Sequence, residues 1–167
     1  ADTRCVNLLD TGSNFYDTYE TAEGRYVALG SIEPQLYKLL LKLAEIDNPE
    51  FENQLDASKW PELKEKITQI FKKKTRDEWC EIMEGTDVCF APVLSMDEAP
   101  EHPHIKHRQT YTKIEGVLQP SPAPRFSRTA PEIKNPPPDP GRDTEAVLLD
   151  FGFSSDEINY LREAKAI

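Results

Sequence analysis

Leu36, Leu39, Leu40, Leu43 and Ala44 recur at spacings of three and four, which predicts one apolar face of a helix. Pro34 suits its first turn, where a missing N–H costs nothing, and Asp47-Asn48-Pro49 ends it. The same period returns in Leu63, Ile67, Ile70 and Phe71, behind a helix-opening Pro61. A third helix follows: Thr75 and Glu78 have the separation of a capping box, Trp79, Ile82 and Met83 supply the apolar face, and Gly85 is the stop.

Upstream of these helices the residues favour strands. Phe15 to Glu20 is rich in aromatic and β-favouring types, and Arg25 to Leu29 follows as a second strand. Between them Glu23-Gly24 predicts a hairpin connection, in which glycine supplies the positive φ. Val88 to Leu94 is a short apolar run, read as a buried strand, part of which Pro92 demotes to an edge or a bulge. Asp97 to His107 is polar, with room for one short helix, and Thr110 to Leu118 holds two short strands around Gly116.

From Pro120 to Pro140 the texture changes, because this stretch holds eight of the chain's 14 prolines. Regular helix and central strand are excluded there, and an extended linker, partly polyproline II, is expected. Phe126 within it is read as an anchor onto another surface. Beyond the prolines, Asp143 caps a helix carrying Val147, Leu148 and Phe151 that stops at Gly152. Ser154 and Glu157 form a second capping box, leading to Ile158 and Leu161. Two helices this short are not stable alone, so they are expected to dock on a surface distant in sequence.

With 167 residues, 38% hydrophobic and 30% charged, the chain has the balance of a folded globular protein and the length for one domain, or a small domain with a tail. No apolar run approaches the roughly 20 residues of a membrane-spanning helix. The formal net charge of −10 argues against a nucleic-acid surface. The one basic run, Lys72-Lys73-Lys74 with Arg76, is read as a solvated helix end that complements the dipole. Cys5, Cys80 and Cys89 lack CxxC spacing and are expected as free thiols, the latter two buried. Ala1 replaces an initiator methionine, as at a cut site or the edge of a longer chain.

Phosphate loops, nucleophile elbows and HExxH patterns are all missing. His102, His104 and His107 invite a metal reading, but Pro100 and Pro103 interrupt a regular helix and leave the imidazoles no common face. No metal is therefore expected. Asp10, Asp17 and Asp87, near strand ends, are read as turn or cap residues with nothing pairing them. Glu33 stands where a strand gives way to the helix beginning at Pro34. A carboxylate there suits a helix N-terminus, and such junctions also present catalytic groups; spacing leaves both roles open.

Several longer words run through the chain in order. They are Asn7-Leu8-Leu9-Asp10, Phe15-Tyr16, Thr21 to Gln35 (including Ser31-Ile32-Glu33-Pro34-Gln35), Trp60-Pro61-Glu62, Trp79-Cys80, Gly85 to Leu94, Pro122 to Thr129 and Asp150-Phe151-Gly152-Phe153. Together they resemble the α-methylacyl-CoA racemases, a group within the family III CoA-transferases. The resemblance implies an α+β fold: an incoming linker (1–12), a small α+β domain (13–115), a Pro-rich linker (116–142) and a helical tail (143–167) packing on a large domain outside this chain.

The activity it implies is inversion at the α-carbon of 2-methylacyl-CoA thioesters through an enolate. CoA is part of the substrate and no separate cofactor is needed. The proton-transfer His and Asp of such enzymes match nothing here and belong upstream of Ala1, so the chain alone is expected to be inactive. Glu33 matches the family glutamate that hydrogen-bonds the catalytic His of a partner subunit in an interlocked homodimer. Leu9, Tyr16 and Ile32 match positions bordering the acyl pocket. The loop Thr11-Gly12-Ser13-Asn14 departs from the relatives' Gly-Gly-Ala-Pro and is expected to alter the pocket rim, hence substrate preference. Peroxisome or mitochondrion is the implied location, although Ala164-Lys165-Ala166-Ile167 is not an S-K-L type ending. The competing readings are a CoA-transferase of the same family and a non-enzymatic interaction module whose prolines are the ligand.

Overall fold

A computed structural model describes residues 3–167. The chain divides into two compact units, Ala1–Met96 and Asp97–Ile167; the expected domain end at Glu115 falls inside the second.

The first unit is built on a hairpin. β1 (Tyr16–Glu20) pairs antiparallel with β2 (Tyr26–Gly30), with Tyr16 opposite Gly30 and Glu20 opposite Tyr26. Gly24, at φ +80°, supplies the left-handed residue the connection needs. β3 (Phe90–Val93) adds antiparallel to the other side of β2, giving the order β1-β2-β3. It is shorter and less buried than expected. Pro92 lies opposite Val27 on this edge strand, where a missing donor is tolerated.

Three helices share one core with this sheet: α1 (Pro34–Leu43), α2 (Trp60–Phe71) and α3 (Arg76–Met83). Pro34 takes the first turn of α1 as predicted, whereas α2 begins one residue before Pro61. The α2 stripe is Trp60, Leu63, Ile67 and Phe71, all buried. On α1 the buried line is Tyr37, Leu40 and Ala44, not Leu36, Leu39 and Leu43, which are only half-buried. Gln35, Lys38 and Lys42 form an exposed polar stripe, but leucines spread over the rest of the circumference, so polarity alone does not say which residues lie innermost. Aromatic packing does: Phe15 meets the edge of Tyr37 at 5.6 Å and of Trp60 at 5.9 Å. A second aromatic row runs from Tyr19 through Phe71, at 5.4 Å, to Trp79, at 4.8 Å.

The start of α3 draws on two sources. Thr75 and Glu78 form the predicted capping box, with Glu78 Oε2 accepting from the Thr75 N–H at 2.7 Å. Glu23, in the hairpin turn, accepts from the Arg76 N–H at 2.8 Å and so caps the same helix from another part of the chain. The lysine run between α2 and α3 is not simply solvated. Lys72 pairs with Glu20 at 3.0 Å and Lys74 lies over the Trp79 ring.

Residues 8–12, expected as linker, form a π-type turn in which the Gly12 N–H reaches the Asn7 carbonyl at 3.0 Å. Leu8 packs on the core beneath it.

The second unit begins with a 3₁₀ turn and α4 (Pro103–His107). Pro103 sits in the first turn of α4, which is why the prolines did not prevent a helix there. β4 (Tyr111–Ile114) and β5 (Val117–Pro120) form a hairpin about Gly116, so strand extends into the expected linker. Residues 121–143 carry neither helix nor strand. α5 (Thr144–Asp150) and α6 (Ser155–Glu163) follow, the latter opened by the predicted Ser154–Glu157 capping box. Ile158 is buried, whereas Val147, Leu149, Phe151 and Tyr160 are exposed. Among the described residues no helix is long and apolar enough to cross a membrane.

Candidate functional site

Glu33 follows β2 after two residues and stands immediately before α1. Its backbone is extended, at φ −69° and ψ 139°, and its carbonyl accepts from Leu36 and Tyr37 N–H at 3.0 and 2.9 Å. It thus holds the N-cap position by backbone geometry. Its carboxylate, however, makes no cap hydrogen bond and is exposed. The helix cap seen as one of two roles for this side chain is not realised.

The segment leading to Glu33 is tied down on several sides. The Gly30 N–H donates to the Cys89 carbonyl at 2.8 Å and the Ser31 N–H to the Phe15 carbonyl at 3.0 Å. Ser31, fully buried, donates its hydroxyl to the Val88 carbonyl at 2.5 Å. Gln54, also buried, donates to the carbonyls of Ser31 and Ile32 at 3.0 and 2.8 Å. The Gln54 carbonyl in turn accepts from the Trp60 indole at 2.9 Å. Neither Ser31 nor Gln54 is a conspicuous residue in the sequence, because their partners lie 22 to 57 positions away.

An open cleft of about 470 Å³ lies against the sheet, walled by Thr11, Tyr16, Ala28, Gly30, Phe90 and Ala91, among others. Tyr16 lies across from Gly30, where a β-carbon would meet its ring at 3.8 Å. The predicted pocket residues are therefore only partly together. Tyr16 lines the cleft, whereas Leu9, Ile32 and Glu33 are not in its wall. Leu9 is exposed on the turn, and Ile32 is half-buried against the core.

The Thr11–Asn14 loop overturns an expectation. Only Thr11 reaches the cleft; Ser13 and Asn14 are fully buried and cannot form a rim. Ser13 Oγ donates to the Leu8 carbonyl at 2.9 Å, and the Asn14 carbonyl accepts from the Tyr19 hydroxyl at 2.8 Å. Asn14 Oδ1 is buried without a partner. These polar residues brace the interior. Burial, aided by the neighbouring Asp17 charge, raises the Tyr19 hydroxyl pKa well above the ordinary tyrosine value.

Two further expectations change. Asp17 is paired after all: Lys64 Nζ stands 2.5 Å from its carboxylate, and the same ammonium donates to the Thr11 carbonyl. Cys89 is exposed, not buried, because its φ of +54° turns the chain outward just before β3, while Val88 beside it is fully buried. Cys80 is half-buried. Its thiol is pushed up to about 11, first by burial and then by the Glu84 carboxylate.

With this geometry in hand, known proteins supply the relationship. The model of CoA-transferase family III matches residues 3–144. The chain is 43% identical to the α-methylacyl-CoA racemase of Mus musculus and 44% identical to that of Homo sapiens, each over 98% of its length. It spans 44% of the length of either relative. Its fold is similar to that of Rv3272 from Mycobacterium tuberculosis, known from a crystal structure of the orthorhombic form. That likeness has a TM-score of 0.62 at 16% identity and covers 78% of this chain and 37% of the other. On the family match across most of its residues, this chain belongs to CoA-transferase family III.

Proposed function

We propose that the protein containing this chain interconverts (2R)- and (2S)-2-methylacyl-CoA thioesters, and that the chain contributes Glu33 as a supporting carboxylate. One observation carries this reading. Glu33 stands at a helix N-cap on a braced segment, yet its carboxylate forms no cap bond and is exposed.

The chemistry needs a base to take the α-proton, leaving the electron pair of the C–H bond on the enolate, with its negative charge on the thioester oxygen. A second group returns a proton to the opposite face. In this reading both proton-transfer groups, a His and an Asp, lie upstream of Ala1. Glu33 accepts the distal N–H of that imidazole across a homodimer interface, which fixes the ring and raises its basicity. Tyr16 and the apolar cleft form one wall for the acyl chain; Leu9 and Ile32, outside that wall, contact the acyl chain only where the rest of the protein completes the pocket. The exposed apolar residues of α5 and α6 dock on the large domain. A peroxisomal or mitochondrial setting goes with branched-chain fatty-acid metabolism.

The test is α-proton exchange of a 2-methylacyl-CoA in deuterated water, followed against pH in the full-length protein. Glu33→Gln keeps the size and removes the charge. A fall of about ten-fold or more, or a shifted pH profile with the fold retained, supports the role. An unchanged rate and profile removes Glu33 from the mechanism. Measurable exchange by the present chain alone would show that the proton-transfer pair has been misplaced.

A further inference from the structure

We infer that Gln54 is the positioning residue for Glu33, setting the direction in which that carboxylate is presented; this rests on the reading of Glu33 given above. Both known partners of the Gln54 amide nitrogen are carbonyl oxygens, of Ser31 at 3.0 Å and Ile32 at 2.8 Å. Two acceptors require two donors, so the NH₂ end faces them and both of its hydrogens are engaged.

The second contact matters most. The Ile32 carbonyl and the Glu33 nitrogen belong to one planar peptide unit. Holding that oxygen holds the plane from which Glu33 departs. On the other side the Glu33 carbonyl is engaged by Leu36 and Tyr37. With the backbone fixed at both ends, rotation of the side chain is the freedom that remains.

Gln54 is itself anchored. It is 7% exposed, and its carbonyl accepts from the indole of Trp60, a core residue at the start of α2. The clamp therefore couples the Glu33 junction to α2 through hydrogen bonds between neutral groups. The choice of amide is chemically specific. Glu at 54 would turn acceptors towards two carbonyls, and Leu would leave two carbonyls unpaired. The titratable groups lining the cleft beside Gln54 are Tyr37, Lys38 and Glu52.

The experiment uses the full-length protein and follows α-proton exchange against pH for Gln54→Leu, Glu33→Gln and the double variant. Gln54→Leu is expected to lower the exchange kcat about ten-fold, with a smaller change in KM, and to displace the pH profile. In the Glu33→Gln background the same change is expected to cost less than about two-fold and to move no profile. Equal losses in both backgrounds, while Glu33→Gln alone remains impaired, overturn the positioning role and leave the Glu33 reading standing. No loss from Glu33→Gln alone overturns both. A purely structural Gln54 would lower the melting temperature but leave rate per folded molecule and pH profile unchanged, which also overturns the proposal. Should Gln54→Leu not fold, Gln54→Asn, which retains the amide one methylene shorter, is read by the same criteria.

Discussion

Lys64 Nζ lies 2.5 Å from Asp17 Oδ2 and also donates to the Thr11 carbonyl, so one ammonium on α2 ties together the first sheet strand and the turn before it. Both side chains are partly screened from water, at 26% and 18% exposure. Lys64→Met should therefore destabilise the chain by about 1 kcal/mol, near the upper end for such pairs. The loss should shrink in an Asp17→Asn background. Urea unfolding of the four proteins of this double-mutant cycle measures the coupling, and strictly additive losses would contradict it.

Gly12 has no room for a side chain. A β-carbon there would stand 2.4 Å from the Asn7 carbonyl oxygen and 2.5 Å from the Val6 carbonyl carbon, both backbone atoms that cannot rotate away. Gly12→Ala is expected to cost about 3 kcal/mol by denaturant titration, whereas Gly30→Ala, whose nearest neighbours are at ordinary contact distance, should cost much less. Equal effects at the two glycines would refute the close approach.

Acid should loosen α3 before it unfolds the core. The Thr75 N–H, then the Thr75 hydroxyl, hold Glu78 below the ordinary glutamate pKa. For Glu23, desolvation acts the other way, but the Arg76 N–H and Thr21 hydroxyl leave the net shift downward. A depressed folded pKa means the stabilisation is complete above the ordinary glutamate value and is lost as pH falls through the lower, folded one. Replacing both residues by Gln should flatten the dependence of Tm on pH in that window. An unchanged slope between pH 5 and pH 3 would argue that neither cap contributes, the window being set by the roughly 4.3 of an unperturbed glutamate.

The thiols should separate by rate. Cys5 and Cys89 are exposed, while Cys80 is half-buried with its thiol raised to about 11. Alkylation of the native chain near pH 8 should label Cys5 and Cys89 first, because the thiolate is the reactive form. Peptide mass mapping over time checks the order; Cys80 labelled together with the others would contradict it.

Most signals that act within one turn of chain were legible in the sequence; Asp143 is an exception, standing before α5 without a side-chain cap bond. The capping boxes at Thr75 and Ser154, the prolines opening helices and the glycine of the first hairpin all formed as their spacing predicts. Features that depend on distant partners were not. Tyr37 joins Leu40 in the buried line of α1, ahead of Leu36, Leu39 and Leu43, because Phe15 lies opposite it, and Asn14 was drawn inside although it is polar. Glu33 shows the division well. Its place at the strand-to-helix junction could be read directly, but the absence of a side-chain cap bond is a property of the folded structure. Gln54 left no local trace at all, since its amide serves carbonyls 22 and 23 positions upstream.

The hydrogen bond from Ser31 to Val88 spans 57 positions, and three helices intervene between its ends. Closing so long a loop carries a large entropic cost before any contact is gained, whereas the β1–β2 hairpin closes locally. Assembly of the first unit should thus begin at the hairpin and finish when β3 arrives. The junction that presents Glu33 is braced by that last arrival, so it acquires its final shape only as the unit completes. A nascent or partly unfolded chain would then lack the Ser31–Val88 brace, and closure of that bond becomes a late marker of successful folding.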